Sequence, residues 1–403
     1  MKKLLSVASL LVFVFIRSAN SAPLYTITQL TDNNYGDTTP FINDSGQIAW
    51  SGGSNYYADY NLFFYEGGNT TQLTLATGKG NYIGDMNSSG DLIFSRSDSN
   101  WNNAQIYRYT NSSKSVTYVN QSDELGKIND NGIAVWQQKN IGASPSWDRE
   151  INSSTGIITA NGNEDYKPEI NNSGNIVWYG QGQSGAFDIY LYKNATITQL
   201  TSTSFDELNP KINEAGYITW YGGQTNGANP NNNEIWLYNG TSTTLITNDA
   251  TYDNQVPVIN NKGQIAFIGK GGNTSSSTTD YEVFFYDGTN VIQITNNNNS
   301  LYQVELNNNG WIVWSEYDGT DNEIFLYDGT GVYQLTDNNY NDYGPKMNNL
   351  GDIVWYGNYQ SGDHEIFYAK YEGQSGSAVP EPATVLLFIS SIGVFYFRKR
   401  NSR

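Results

Sequence analysis

Four aspartates and one glutamate recur at one place in a repeated pattern. Asp37, Asp123, Asp165, Glu207 and Asp342 each lie five residues before an Ile or Met that is followed by Asn. Carboxylates gathered at one end of successive repeats could form a ring of oxygen ligands, and Ca2+ is the hard cation that several such oxygens suit. The same residues could instead accept backbone N–H bonds within their own turns. The sequence leaves both duties open. Three other units write Asn81, Asn254 and Leu301 at that place, and Asp318, Asp321 and Glu323 make a second, local cluster.

Other chemistry is narrowed by what the chain contains. There is no Cys and one His, His364. Thiol catalysis and Cys- or His-rich zinc sites are therefore excluded. His364 has no Ser nucleophile motif near it. A glycosidase needs only two carboxylates, so composition does not exclude one. Six tryptophans, Trp50, Trp136, Trp178, Trp220, Trp314 and Trp355, recur at one position, which fits packing between repeated units. Tyr56, Tyr57, Trp101, Tyr179, Tyr221 and Tyr356 follow in connecting loops and are the better candidates for stacking on sugars.

The elements that must carry these residues are short strands. Hydrophobic residues are 38% of the chain while aromatics reach 14%, a combination that separates it from disordered chains. One line, P-x-I-N-x-x-G-x-I-x-W, occurs eight times, with its glycine at Gly46, Gly90, Gly132, Gly174, Gly216, Gly263, Gly310 and Gly351. The spacing is 41 to 47 residues, the period of a four-stranded propeller blade. Asn-x-x-Gly suits a type I turn with Asn bonding its own backbone and Gly at positive φ. The flanking segments are then paired strands A and B. An apolar strand C follows, as in "EIFLYDGT", with Asp-Gly or Asn-Gly as a hairpin turn. Strand D ends in Gln-Leu-Thr or a variant.

The chain enters this pattern in mid-unit. "TITQLT" at residues 26–31 is a D strand with nothing before it, and the last unit has A, B and C without D. The orphan strand can complete the last blade and remove an exposed edge. The expected architecture is thus all-β: a single β-propeller over 22–371, with eight four-stranded blades closed by the N-terminal strand. Seven blades is the alternative, should worn unit 2 or 3 not form one. "INNKGQIAFIG" and "EIFLYDGTGVYQLT" resemble TolB-type propeller repeats. That likeness implies a propeller and little about function, and the Ile-Asn-x-x-Gly spelling departs from the usual Ser-Pro-Asp-Gly.

The two ends read as addresses. Residues 1–21 combine a basic start, an apolar run and Ala19-Asn20-Ser21, as a secretory signal peptide does. Residues 372–379 are a small-residue linker. Residues 380–403 hold Pro380-Glu381-Pro382, a short apolar run from Ala383 to Phe397 and a basic cluster. This order resembles the PEP-CTERM sorting signal. The resemblance implies a short transmembrane segment, transient anchoring in the inner membrane of a Gram-negative bacterium, and removal of the tail by an exosortase. It also implies release to the cell surface or an exopolysaccharide-rich biofilm matrix.

The formal net charge is −18. The two ends hold seven of the 21 basic groups and one of the 39 acidic ones, so the middle stands near −24. Such a field repels nucleic acid and anionic lipid and suits cations and neutral glycans. The expectation is a monomeric, exported, non-enzymatic propeller that binds glycan or protein partners. A carbohydrate-active enzyme with paired carboxylates at the channel, and a purely structural matrix protein, are the rival readings.

Overall fold

A computed structural model describes residues 22–374, apart from 55–58, 76–77, 98–103, 122–125, 140–147, 224–231, 249–252, 271–280, 298 and 360–362. The segments 1–21 and 375–403, with the signal peptide and Pro380-Glu381-Pro382, lie outside the described residues. Tyr25–Tyr371 forms one compact unit. Among the described residues no helix is long and apolar enough to cross a membrane.

Eight separate four-stranded antiparallel sheets follow one another along the chain. The molecule is an eight-bladed β-propeller, and units 2 and 3 are full blades. Blade 4 shows the plan: strand A is Asp165–Ile170, B is Ile176–Gln181, C is Phe187–Lys193 and D is Thr196–Gln199. Blade 8 takes A, B and C from Asp342–Met347, Ile353–Tyr359 and Asp363–Gln374, and its outer strand is Pro23–Gln29. The N-terminal strand closes the ring as its sequence implied. Worn blade 3 keeps its third and fourth strands as Arg149–Ser153 and Gly156–Ile157.

The Asn-x-x-Gly turns form as their residue types require. In blade 1 the Gly46 N–H donates to the Asn43 carbonyl at 3.0 Å, and the Ser45 N–H to Asn43 Oδ1 at 3.0 Å. Gly46 has φ 72°, a left-handed conformation that costs glycine little.

No single core fills the molecule. Eight apolar clusters each straddle one blade boundary. Trp178 of blade 4 packs with Val135 and Ile151 of blade 3, and Trp50 of blade 1 packs with Val354 and Ile366 of blade 8. The six recurrent tryptophans are at most 1% exposed, as packing between units requires. Each of four of them lies parallel to the aromatic ring opposite on strand C: Trp50 on Phe63, Trp178 on Tyr190, Trp314 on Phe325 and Trp355 on Phe367.

Candidate functional site

The four described recurrent acids lie at the start of strand A in blades 1, 4, 5 and 8, out of solvent. Asp37, Asp165, Glu207 and Asp342 are at most 3% exposed. Their partners are side chains more than turn backbone. Trp50 Nε1 donates to Asp37 Oδ1 at 3.1 Å and Trp178 Nε1 to Asp165 Oδ1 at 2.8 Å. Asn33, Asn161 and Asn338, four residues upstream, donate side-chain amides to Asp37, Asp165 and Asp342. Burial pushes Asp37, Asp165, Glu207 and Asp342 up to about 7. Asp123 lies outside the described residues.

A glycine makes room for each carboxylate. Two residues after the tryptophan, Gly52, Gly180 and Gly357 stand opposite Asp37, Asp165 and Asp342. A Cβ on Gly180 would lie 2.1 Å from Asp165 Oδ1. Blade 7 exchanges the two roles. Leu301 replaces the acid, Glu316 replaces the glycine, and Trp314 Nε1 donates to Glu316 at 2.7 Å.

A second carboxylate comes from strand C of the preceding blade. Glu365, Glu150 and Glu323 accept the N–H groups of Asn33, Asn161 and Asn338. The closing Thr of strand D belongs to the same network: Thr31, Thr159 and Thr336 hydroxyls accept N–H bonds from Ile366, Ile151 and Ile324. These acids therefore pin the connection between blades. Among the described residues, the one group of three carboxylates with ligand oxygens within 4.8 Å is Asp318, Asp321 and Glu323, and none of the recurrent A-strand acids belongs to it.

The proposed sugar platforms are placed differently from the loops expected for them. Tyr179, Tyr221 and Tyr356 sit within the B strands, half-buried. Strand B extends past the tryptophan, so these rings pack on neighbours: Tyr179 on Tyr166 and Phe187, Tyr356 on Tyr343 and His364. Tyr56, Tyr57 and Trp101 lie outside the described residues. Burial lowers the pKa of His364.

The eight A strands neighbour one another in a closed circle around the channel. The residue just before the terminal Ile, Met or Leu of strand A reads, from blade 1 to blade 8, Phe41, Asp85, Lys127, Glu169, Lys211, Val258, Glu305, Lys346. Six of these are charged, in alternating sign. Lys211 pairs with Glu169 and Lys346 with Glu305. Glu169 raises Lys127 against the opposing effect of burial. Burial works to raise Glu169 too, but Lys127 and Lys211 outweigh it and hold it below its ordinary value. Burial raises Asp85, partly offset by Lys127.

Just before these residues the A strands bulge. The A–B register shifts between Tyr166 and Glu169 and between Leu208 and Lys211. Thr39, Lys167, Asn209 and Val256 take positive φ of 48 to 51°, each preceding a proline. Non-glycine residues rarely adopt that conformation, and a bulge re-aims the side chains around it. Lys127, Lys167, Glu169, Asn209 and Lys211, with Pro168, Pro210 and Pro257, bound a cavity of about 360 Å³. This girdle of alternating charges on the A strands was the feature missed in the sequence. Its signal was the alternating column beside the Ile-Asn motif.

No protein-family model and no curated protein matches the chain. Solved structures match in fold. An acylaminoacyl peptidase complexed with Z-Gly-Gly-Phe-chloromethyl ketone is 16% identical, with TM-score 0.51 over 80% of this chain and 57% of its own. This chain thus spans under three fifths of that peptidase. The oligogalacturonate lyase of Vibrio parahaemolyticus is 10% identical, with TM-score 0.52 over 87% of this chain and 95% of its own. The β-propeller domain of the trilobed protease from Pyrococcus furiosus, described as having open velcro topology, is 13% identical, with TM-score 0.51 over 76% and 97%. At these identities the likeness is one of fold, and here the N-terminal strand closes the last blade.

Proposed function

We propose that this chain is an exported β-propeller of the cell surface or exopolysaccharide matrix, which binds a glycan or protein partner without turning it over. The observation that carries the reading is how the recurrent acids are used. A paired-carboxylate hydrolase needs both carboxyl groups facing the scissile bond. Here the repeated carboxylates are buried at blade boundaries, held by tryptophan indoles and side-chain amides. The polar cavity in the channel instead offers three ammoniums and one carboxylate, Glu169. Export, and processing by an exosortase at Pro380-Glu381-Pro382, are supported by the order of the terminal segments.

The test pairs binding with turnover. Mature protein is applied to a glycan array and to extracted matrix, and the bound glycans are assayed for new reducing or unsaturated ends. Capture without new ends supports the reading. Sustained release of ends, abolished by Glu169→Gln, would replace it with a carbohydrate-active enzyme.

A further inference from the structure

We propose that the channel cavity binds a carboxylate-bearing sugar, with Lys127, Lys167 and Lys211 as its cationic wall. The proposal rests on the glycan-binding reading above and names the chemistry of the ligand.

Charge placement is the first argument. Between the two ends the chain holds 14 basic groups against 38 acidic ones. Three of those 14 line this one cavity, with a single carboxylate among them. Glu169 is shared: it pairs with Lys211 and stabilises the ammonium of Lys127. Asp85 also acts on Lys127, so the charges of the column itself nearly cancel and the positive charge left over in the cavity is that of Lys167. Its ammonium rests 3.1 Å from the neutral amide oxygen of Asn209. An ammonium has three donors, so that bond leaves Lys167 able to bind an anion. The acidic outer surface would disfavour an anion elsewhere, so the channel is where a negative ligand gains most.

Shape and backbone conformation are the second. Lys167 and Asn209 reach the cavity from left-handed positions, φ 48° and 49°, each followed by a proline. Strained non-glycine residues concentrate at ligand sites. Three proline rings, Pro168, Pro210 and Pro257, together with Val256, form the apolar part of the wall. An acidic sugar presents a carboxylate for the ammoniums and a C–H face for the prolines. The volume falls at the small end of the range of about 300–1,000 Å³ typical of small-ligand pockets. That suits a monosaccharide unit or chain end, and excludes a folded partner.

Calorimetry on the mature protein decides it, with four probes: a uronic-acid trisaccharide, its carboxyl-reduced neutral counterpart, an acidic tripeptide and acetate. The uronate should bind at least about tenfold more tightly than its neutral counterpart, as the loss of a charge-assisted hydrogen bond predicts, and more tightly than acetate and the tripeptide, which lack the sugar ring that the prolines face. Lys167→Gln should weaken it by about tenfold at unchanged Tm, because Lys167 is exposed. Equal binding of the neutral trisaccharide, equal binding of the tripeptide, or a Lys167→Gln variant that binds uronate like the parent would each overturn the proposal. Neutral glycan capture without uronate preference overturns it while leaving the glycan-binding reading intact. Failure of every glycan on the array, with no partner captured from matrix, sinks both.

Discussion

Asn348 in the last blade donates its side-chain amide to the main-chain carbonyl of Asn43 in the first, 3.1 Å away across 305 residues of sequence. The bond is one of eight. Asn43 donates to Asn87, Asn87 to Asn129, Asn129 to Asn171, Asn171 to Asn213, Asn213 to Asn260, Asn260 to Asn307 and Asn307 to Asn348. Every asparagine side chain thus does two jobs. Its oxygen holds its own turn, and its nitrogen ties that turn to the next blade.

The two jobs can be separated. Asn171→Ala removes both and should cost about 2 kcal/mol, since a net hydrogen bond contributes about 1 kcal/mol and a partner is left unpaired. Asn171→Asp keeps the acceptor for Asn175 N–H but turns a carboxylate oxygen toward the buried Asn213 carbonyl, so at neutral pH it should be no more stable than Ala. Urea midpoints measure this. Equal stability of parent and Ala variant would reduce the ring to a coincidence of geometry.

Closure also depends on the N-terminal strand. Thr31 accepts the N–H of Ile366, and Leu30 N–H donates to the Ile366 carbonyl at 2.7 Å. Deleting residues 24–32 strips these bonds and bares an edge that invites pairing between chains. The truncated protein should melt well below the parent and self-associate in light scattering. A monomer with the parental Tm would refute closure as a source of stability.

Stability should fall as pH rises from 5 to 8. Asp37, Asp165, Glu207 and Asp342 are pushed up by burial to about 7, from ordinary values of 3.8 for Asp and 4.5 for Glu. In that interval the folded chain keeps protons that the unfolded chain has released. Their stabilisation is complete below the unfolded values and is lost as pH climbs through about 7. Each group contributes at most ~1.4 kcal/mol per pH unit. Asp165→Asn should flatten the profile, because Asn cannot ionise yet its oxygen can still accept from Trp178. Asn81 and Asn254 already stand at this position in blades 2 and 6. Chelator sensitivity of the parent that is lost in Asp165→Asn would show instead that the acid serves a cation.

Replacing Pro380-Glu381-Pro382 by alanines should leave the propeller folded and hold it in the inner membrane. Fractionation and mass spectrometry read the outcome. Secreted parent protein that retains peptides from Val385 onward would refute processing.

The fold was legible because the repeat wrote it eight times. Gly46 and its seven counterparts mark the A–B turns, and the orphan "TITQLT" marks the closure. The duties of the acids were not legible, because they depend on which residue stands across the strand pair. Asp165 needs Gly180 opposite and Trp178 beside it, a relation between strands that one strand's spelling cannot express. The channel girdle was hidden for a related reason. Lys211 and Glu169 are 42 residues apart, and they meet only because the A strands form a circle.

Blade 7 supplies its own control for that cross-strand relation. It replaces acid and glycine together, with Leu301 on strand A and Glu316 on strand B, and still delivers a carboxylate to its tryptophan. Blade 4 should accept the same exchange. Gly180→Glu alone would drive a Cβ to 2.1 Å from Asp165 Oδ1 and set two carboxylates against each other, at a cost of several kcal/mol. Asp165→Leu alone leaves the Trp178 indole without its acceptor, a loss of about 1–3 kcal/mol. The Asp165→Leu/Gly180→Glu double variant removes the clash and restores an acceptor. Its urea midpoint should lie above that of Gly180→Glu, with a coupling of at least about 1 kcal/mol in a double-mutant cycle. Strict additivity would mean that the pairing of acid and glycine is incidental to how the blades lock together.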